Sequence, residues 1–539
     1  MLTNKHIFLP ALFTTSILCQ SIFINEFLAS NVRDYAEIVD FDDYSDWIEI
    51  YNYEIEDYVF NGIFISDDFN NPLKWKIPDG SIIEGQSFLI VWADGYDEVP
   101  NQLYTRPYWP WDQFITSNYH TNFKLSKNGE ELGLFKANSS ETIFLVNQGD
   151  LWKYLDDGTD QDSAWIGLDF NDDYWSSGYA ELGYGDGDEQ TVVSYGSNEN
   201  NKNITTYFRK VISIDNAEQI QNFTISLKRD DGAIVYLNGI EVLRENMPLG
   251  LIDYNTTAID AIGSNEEDAF INTSFSSSLL DSGENIIAVE IHQVSESSSD
   301  ISFDLELRGE IYSDIEIIDS VTFDQQITDV SYGKIFDGNT WGFFGEPTPG
   351  FSNHTTSIDD LELSETVQFS IESGYYNEPQ IVELNIASNS EQIFYTLDGS
   401  RPNSDSFIYD NPIIIDTTTV IKARSIGSNK LPGITTSKTI FISEQNFLPT
   451  ISLIVEPKTL WDENIGIYQN EFKQREIPVT IEYFKPQTGL RFTEDVGARL
   501  GGLNIWTKPQ KPFTIYTRDR FGQNFINYQL FENKQIANF

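Results

Sequence analysis

The sequence predicts a mainly β protein organised as tandem β-sandwiches, and three observations carry that expectation. Turn formers are plentiful, with 35 glycines and 19 prolines in 539 residues. Long amphipathic helical patterns are scarce, whereas short stretches that alternate bulky and polar residues recur along the chain. A hydrophobic fraction of 40% and an aromatic fraction of 14% belong to a chain that packs cores, not to a disordered tail. At roughly 100–200 residues per domain, the length provides for several domains, each able to bury its own core.

Residues 1–21 read as a secretory signal. Lys5 supplies the positive start, and residues 7–19 form an apolar run too short to anchor stably in a bilayer. The single cysteine, Cys19, lies in this segment, so the mature protein is expected to hold no disulfide and no membrane span. Leu18 before Cys19 makes a poor lipoprotein box. The net charge of −51 excludes nucleic acid as a partner, because binding it requires a basic surface that neutralises phosphates. It disfavours an anionic membrane for the same reason. An acidic, solvated surface suits salty water, where screening weakens self-repulsion.

The first strong strand signal is Asp46-Trp47-Ile48-Glu49-Ile50-Tyr51-Asn52, which sets bulky side chains among polar ones and ends on a turn-forming Asn. Trp47 is expected in a sandwich core. INEFLASN precedes it at residues 24–31. FNGIFISDD (60–68), WKIPDGSIIEGQSFLIVWADG (75–95) and FKLSKNGEELGLF (123–135) follow. Together these motifs resemble the lamin-tail domain, a small immunoglobulin-like β-sandwich. The resemblance breaks off and resumes at IIDSVTF (317–323), QITDVSYGKIFDG (326–338) and WGFFGEPTPGFSN (341–353). It implies a discontinuous domain of residues 22–144 and 311–353. A second domain, residues 145–310, would be inserted into a hairpin loop, where exposed tips tolerate insertion.

The insert has its own signature. WIGLDFNDDYWSSGYAELGYGDGDE (165–189) is aromatic and turn-rich, and TYFRKVISI (206–214) reads as a strand. LKRDDGAIVYLNGIEVLRENMP (227–248) is a hairpin about Asn238-Gly239, and NIIAVEIHQ (285–293) and FDLELRGEI (303–311) close the domain. The series resembles the galactose-binding-like jelly roll, common in carbohydrate-binding modules, whose ligand is set by loops, not by the fold. Sugar binding uses aromatic faces beside polar side chains. Trp165, Trp175 and Tyr184, with Arg209, Asp230 and Asp231, form the candidate ligand-binding set, and Tyr174 and Tyr179 lie in the same stretch. The competing reading of each aromatic is a core position.

Asp156-Asp157-Gly158-Thr159-Asp160-Gln161-Asp162 and Asp186-Gly187-Asp188-Glu189 offer hard oxygens for a structural calcium, although neither follows the EF-hand order. Solvated acidic turns are the other reading. The pairs Asp156/Asp157, Asp172/Asp173 and Asp230/Asp231 are too numerous to single out a glycosidase dyad. The four histidines, His6, His120, His292 and His354, show no zinc spacing, and His292 reads as a satisfied core or rim residue. No G-x-S-x-G nucleophile elbow is present.

Residues 354–366 form a Ser/Thr-rich linker. In residues 367–445, IFYTLDGSRPNSDSFIYDNPIIIDTTTVIKARS (393–425) turns at Asp398-Gly399, with Pro402 stiffening the loop. It resembles the chitobiase/hexosaminidase C-terminal β-sandwich, a module that usually accompanies an enzyme. In residues 446–539, LPTISLIVEPKTLWDENIGIYQN (448–470), REIPVTIEYF (475–484) and GARLGGLNIWTKPQKPFTIYTRDRFGQNFINYQLFE (497–532) resemble the start of the spore-coat protein H (CotH) kinase-like family. Gly497, Gly501 and Gly502 precede Lys508 and Lys511. The family position makes Lys511 the phosphate contact, although Leu503-Asn504-Ile505-Trp506 depart from the small polar residues usual there. The larger catalytic part of that family is expected downstream of these motifs, so no catalytic residue is assigned. The resulting expectation is an exported modular binding and display protein at or outside the cell surface, with carbohydrate or a cell-surface polymer as ligand. The alternatives are the front half of a secreted CotH-type kinase and a structural spacer.

Overall fold

The structure, a computed structural model, describes residues 21–38, 44–100, 103–106, 109–263, 266–275, 279–335, 340–353, 357–358, 361–470, 475–501, 509–530 and 534. Residues 1–20 of the signal segment, with His6 and Cys19, lie outside them, as do His354 and residues 502–508. The chain is almost all β, 47% strand and 2% helix, in several sheets, as its alternating, turn-rich sequence predicts. Among the described residues no helix is long and apolar enough to cross a membrane. The chain divides into two compact units, Met1–Lys136 with Glu316–Phe539, and Ala137–Ile315.

In the first unit a six-stranded sheet runs Tyr119–His120, Phe88–Ala93, Asp46–Asn52, Ile22–Leu28, Ser331–Lys334, Trp341–Phe344. The Ile22–Leu28 strand thus lies between a partner close in sequence and one about 300 residues away. Its register slips between Ile24 and Glu26. This bulge keeps Phe27 on the core face and turns Glu26 and Leu28 to the other. Ile24, Phe27, Ile48, Ile50 and Val91 pack with Ile63, Ile65, Leu132 and Leu134 to form the sandwich core.

Trp47 is fully buried, but on the opposite face of its sheet from that core. Successive side chains of a strand point to opposite faces, so once Ile48 and Ile50 take the core, Trp47 and Glu49 must face away. That face is covered too. Trp47 packs with Leu28 and Trp92, and Tyr35 stacks on Trp92 with ring centroids 5.5 Å apart. Buried Glu26 accepts from Ser331 Oγ and Thr348 Oγ1. Glu49 accepts from Asn25 Nδ2 at 2.6 Å and from the Gly350 N–H at 2.5 Å.

Burial pushes the Glu49 carboxyl up to about 8; nearby Glu26 adds to this, while the hydrogen bonds from Gly350 and Asn25 oppose it. The folded chain therefore holds the Glu49 proton more tightly than the unfolded chain, where the ordinary value is 4.5. The stability this contributes is full below the unfolded value and is lost as pH rises towards about 8. We expect the urea midpoint of the first unit to fall across that window, with a slope of at most about 1.4 kcal/mol per pH unit from this group. Glu49→Gln should flatten the profile; parallel wild-type and mutant curves would refute the assignment.

The unit also holds two further β layers. One is a five-stranded sheet, Gly374–Tyr376, Thr436–Ile442, Thr419–Gly427, Glu391–Thr396, Phe407–Ile408, over a core that includes Val382, Ile393, Ile421 and Ile440. The other is a four-stranded sheet, Thr450–Val455, Ile477–Lys485, Gly489–Leu500, Phe513–Tyr516, packed around Ile477, Val479, Val496 and Ala498. Tyr375 and Phe441 stack at 4.4 Å, and both set an edge against Phe484. Arg401 pairs with Asp34 at 3.0 Å and ties the five-stranded layer to the first sandwich.

The second unit is a two-sheet sandwich. Its six-stranded sheet runs Ser176–Tyr179, Leu151–Leu155, Thr205–Ile214, Gly283–His292, Gly232–Leu237, Ile240–Glu245. The facing sheet includes Thr191–Val192, Leu182–Tyr184, the part of the Ile301–Phe323 strand up to Ile315, Ile220–Asp230 and Ile271–Phe275. Trp152, Phe208, Val235 and Val289 from one sheet meet Leu182, Ile225, Phe303 and Leu305 from the other, and Phe208 stacks on Phe303 at 4.0 Å. The hairpin expected at Asn238-Gly239 is present. Both residues have positive φ, 50° and 84°, which matches the twist of the paired strands and suits Asn followed by Gly. The ends of the unit lie side by side, with Ser139 Oγ 2.8 Å from Ser313 Oγ.

Candidate functional site

The candidate residues of the second unit fall into two groups, and strand alternation decides which. In the Thr205–Ile214 strand, Phe208 points into the sandwich, so Tyr207 and Arg209 face outward from the six-stranded sheet. Trp165 and Trp175, from the preceding loop, close over this face with Tyr207 and Ala288, against Phe170 and Tyr236. The two tryptophan rings lie 6.4 Å apart, and Trp165 meets Tyr207 edge-on at 4.8 Å.

Arg209 holds the loop in place. Its Nε donates to Asp172 Oδ2 at 2.9 Å, and Nη1 donates to the carbonyls of Trp165 and Gly167. The guanidinium also lies over the Phe170 ring, 5.1 Å from its centroid. Lys153 Nζ reaches Asp172 Oδ1 at 2.6 Å. Burial raises the Asp172 carboxyl, but the hydrogen bonds from Arg209 and Lys153 outweigh it and leave its pKa below the ordinary range. Trp165, Trp175 and Arg209 are 3%, 5% and 1% exposed, so in the chain itself they serve as packing, the competing reading of the aromatics. What the loop presents to solvent is Tyr174, 64% exposed, with its OH donating to Gln161 Oε1 at 3.1 Å. Tyr179 is 54% exposed on the edge strand.

Farther along the same face, Tyr236 OH donates to Glu290 Oε1 at 2.8 Å, and His292 Nε2 is 3.1 Å from Glu290 Oε2. His292 Nδ1 is 2.7 Å from the Thr256 carbonyl, which can only accept, so Nδ1 carries the hydrogen. His292 is thus a buried, hydrogen-bonded residue of this face.

Tyr184, Asp230 and Asp231 belong to the other sheet and its margin. Leu182–Tyr184 and Ile220–Asp230 flank the start of Ile301–Phe323, with Tyr184 opposite Ile301 and Asp230 opposite Ser302. This register gathers Asp186, Asp230 and Asp300 at one end of three neighbouring strands, and a loop adds Glu267. Ligating oxygens of Asp186, Glu267 and Asp300 lie within 4.8 Å of one another. Burial and the adjacent carboxylates of Asp231 and Asp300 push Asp230 up to about 9. Burial raises Tyr184 to about 12, and its OH receives a hydrogen bond from Gln293 Nε2. Asp188 and Glu189, read as calcium ligands in the sequence, cluster with Asp186, although Glu189 also accepts from the N–H groups of Asp186 and Gly187. The carboxylates of 156–162 close turns: Asp157 accepts from Thr159 N and Oγ1, and Asp156 from Ser194 N.

In the first unit, Lys511 is half-buried just before the Phe513–Tyr516 strand. The Gly501 N–H donates to the carbonyl of neighbouring Pro512 at 3.0 Å. Gly497 is required by packing, because a Cβ there would lie 2.3 Å from Glu476 Oε1 and 2.4 Å from the Phe521 ring. A group that sequence reading missed lies in the first sandwich. Buried His120 sets Nδ1 2.8 Å from Asp94 Oδ2 and Nε2 3.2 Å from Glu37 Oε1. Positions 37, 94 and 120 carry no local spacing signal.

No curated protein sequence matches the chain. Solved structures that align with it include beta-glucuronidases. The one from uncultured Clostridium sp. aligns with a TM-score of 0.22 and 8% identity over 59% of this chain and 46% of that one. That of Ruminococcus gnavus gives 0.21 and 8% over 59% and 46%. Beta-glucuronidase 2 of Bacteroides uniformis gives 0.23 and 12% over 70% and 34%. The chain spans less than half the length of each of these proteins. Residues 371–437 match the chitobiase/beta-hexosaminidase C-terminal domain, and the strands of that segment form the β layer the resemblance implies.

Proposed function

We propose that this chain is an exported, modular β-sandwich protein that binds carbohydrate, as a glycan or cell-surface polymer, outside the cell. The observation that carries the reading is the match of residues 371–437 to a domain of sugar-processing enzymes. The net charge of −51 supports a neutral or non-phosphate polymer over nucleic acid. In the second unit, the outward face with exposed Tyr174 and Tyr179 and a buried aromatic layer beneath supports a stacking surface of the kind sugar rings favour. The lamin-tail-like and CotH-like segments fit this reading as display scaffolding, and residues 1–21 fit it as the export signal.

The test is a glycan array probed with the purified full chain, followed by titration of the best ligand. Retention of a glycan is expected, and the Tyr174→Ala, Tyr179→Ala double variant should bind it roughly tenfold more weakly. A chain that retains no glycan and no cell-wall polymer would overturn the reading in favour of a spacer.

A further inference from the structure

We propose that the second unit binds a calcium ion at the common end of the Leu182–Tyr184, Ile220–Asp230 and Ile301–Phe323 strands, through Asp186, Asp230, Glu267 and Asp300. The first support is convergence. Asp230 ends its strand, Asp300 immediately precedes Ile301, and Asp186 lies two residues past Tyr184, so all three reach the same end of the sheet. Oxygens of Asp186, Glu267 and Asp300 lie within 4.8 Å of one another, and Asp230 borders this group through Asp300. The second support is independent of the cluster. Asp230 is 1% exposed, and its Oδ2 has no hydrogen-bond donor among the described residues.

Its neighbour shows what a satisfied carboxylate looks like here. Asp231 Oδ1 accepts from the Ile262 N–H at 2.8 Å, and Oδ2 accepts from the Val294 N–H at 2.7 Å and from Ser298 Oγ. Asp230 instead lies against the carboxylates of Asp231 and Asp300. A buried carboxylate set against another carboxylate requires a proton or a cation between them.

The donor set selects the cation. It is all carboxylate oxygen, with no histidine or cysteine in the cluster, which points to a hard divalent ion rather than zinc or copper. Asp186 and Glu267 sit on loops, and adaptable, oxygen-rich coordination of that kind suits calcium better than the strict octahedron of magnesium. The rival for the same gap is a proton shared between Asp230 and Asp300.

The experiment uses the full chain, stripped with chelator and titrated with CaCl2 or MgCl2 by calorimetry at fixed ionic strength, which suppresses diffuse association with the acidic surface. One saturable calcium site is expected, with little response to magnesium. Calcium at a hundred times its dissociation constant should raise the melting temperature of the second unit by about 5–10 °C. Asp230→Asn and Asp300→Asn should each abolish the site, whereas Asp157→Asn, in the separate acidic turn, should keep it. Asp186→Asn, at an exposed position, provides a variant whose folding is not at stake; weakened calcium binding is expected. Wild-type protein without a saturable calcium site, or sites unchanged in the Asp230, Asp300 and Asp186 variants, would overturn the proposal. So would a chain that ignores calcium but is stabilised by Asp230→Asn, which would assign the gap to the shared proton.

Discussion

Trp47→Ala is expected to destabilise the first unit by about 3–5 kcal/mol, the range for removing a fully buried large aromatic. The side chain is completely enclosed by Leu28, Trp92 and Tyr35, on a face that also carries the buried glutamates Glu26 and Glu49. Those neighbours cannot close the gap easily. Leu28 and Trp92 lie on the adjacent strands directly opposite Trp47, and backbone ladders hold them on both sides. A loss of this size is a large share of a domain's net stability. Ile48→Val, on the core face of the same strand, should cost only about 1 kcal/mol. The contrast in denaturation midpoints checks the assignment. A Trp47→Ala midpoint no lower than that of Ile48→Val would show that this outer face is not packed as described.

Arg209→Met is expected to destabilise the second unit by about 3 kcal/mol and to loosen residues 164–175. Methionine keeps much of the apolar stem but supplies no donor. The carbonyls of Trp165 and Gly167 would lose their Arg209 hydrogen bonds in a buried setting, and Asp172 would keep Lys153 as its cationic partner. The guanidinium ties the loop carrying Trp165, Phe170 and Trp175 to the sheet through Asp172 and the carbonyls of Trp165 and Gly167, beside the packing of the two tryptophans, so without it the loop's amides should exchange faster. Lys153→Met, which removes a half-exposed partner of Asp172, should cost about 1 kcal/mol or less. Hydrogen exchange and urea denaturation together decide the matter. Equal effects of the two substitutions, or unchanged exchange over 164–175, would contradict the role given to Arg209. If the proposed glycan surface depends on this loop, Arg209→Met should also weaken binding at temperatures where the unit remains folded.

Local pattern was enough to read the β class of the chain, the positive-φ hairpin at Asn238-Gly239 and the matched module around residues 371–437, because each is written in contiguous residues. The identity of the candidate aromatics and charges was equally legible; their grouping was not. Trp47 looked like a core residue because alternation shows that a strand has two faces, not which of them meets the opposing sheet. A covering layer from residues 31–37 and 345–353 then buried the second face as well. Trp165, Trp175 and Arg209 separated from Tyr184 and Asp230 because their strands lie in different sheets, a matter of long-range pairing. Asp300 and Glu267 joined Asp186, with Asp230 bordering Asp300, and Glu37 and Asp94 closed on His120, only after distant segments had been brought into register. Sequence by itself determined which segments become strands and turns, since φ preferences and side-chain alternation act over a few residues. The partners of each buried charge were decided by the tertiary structure alone, since register between remote strands sets which carboxylates face one another.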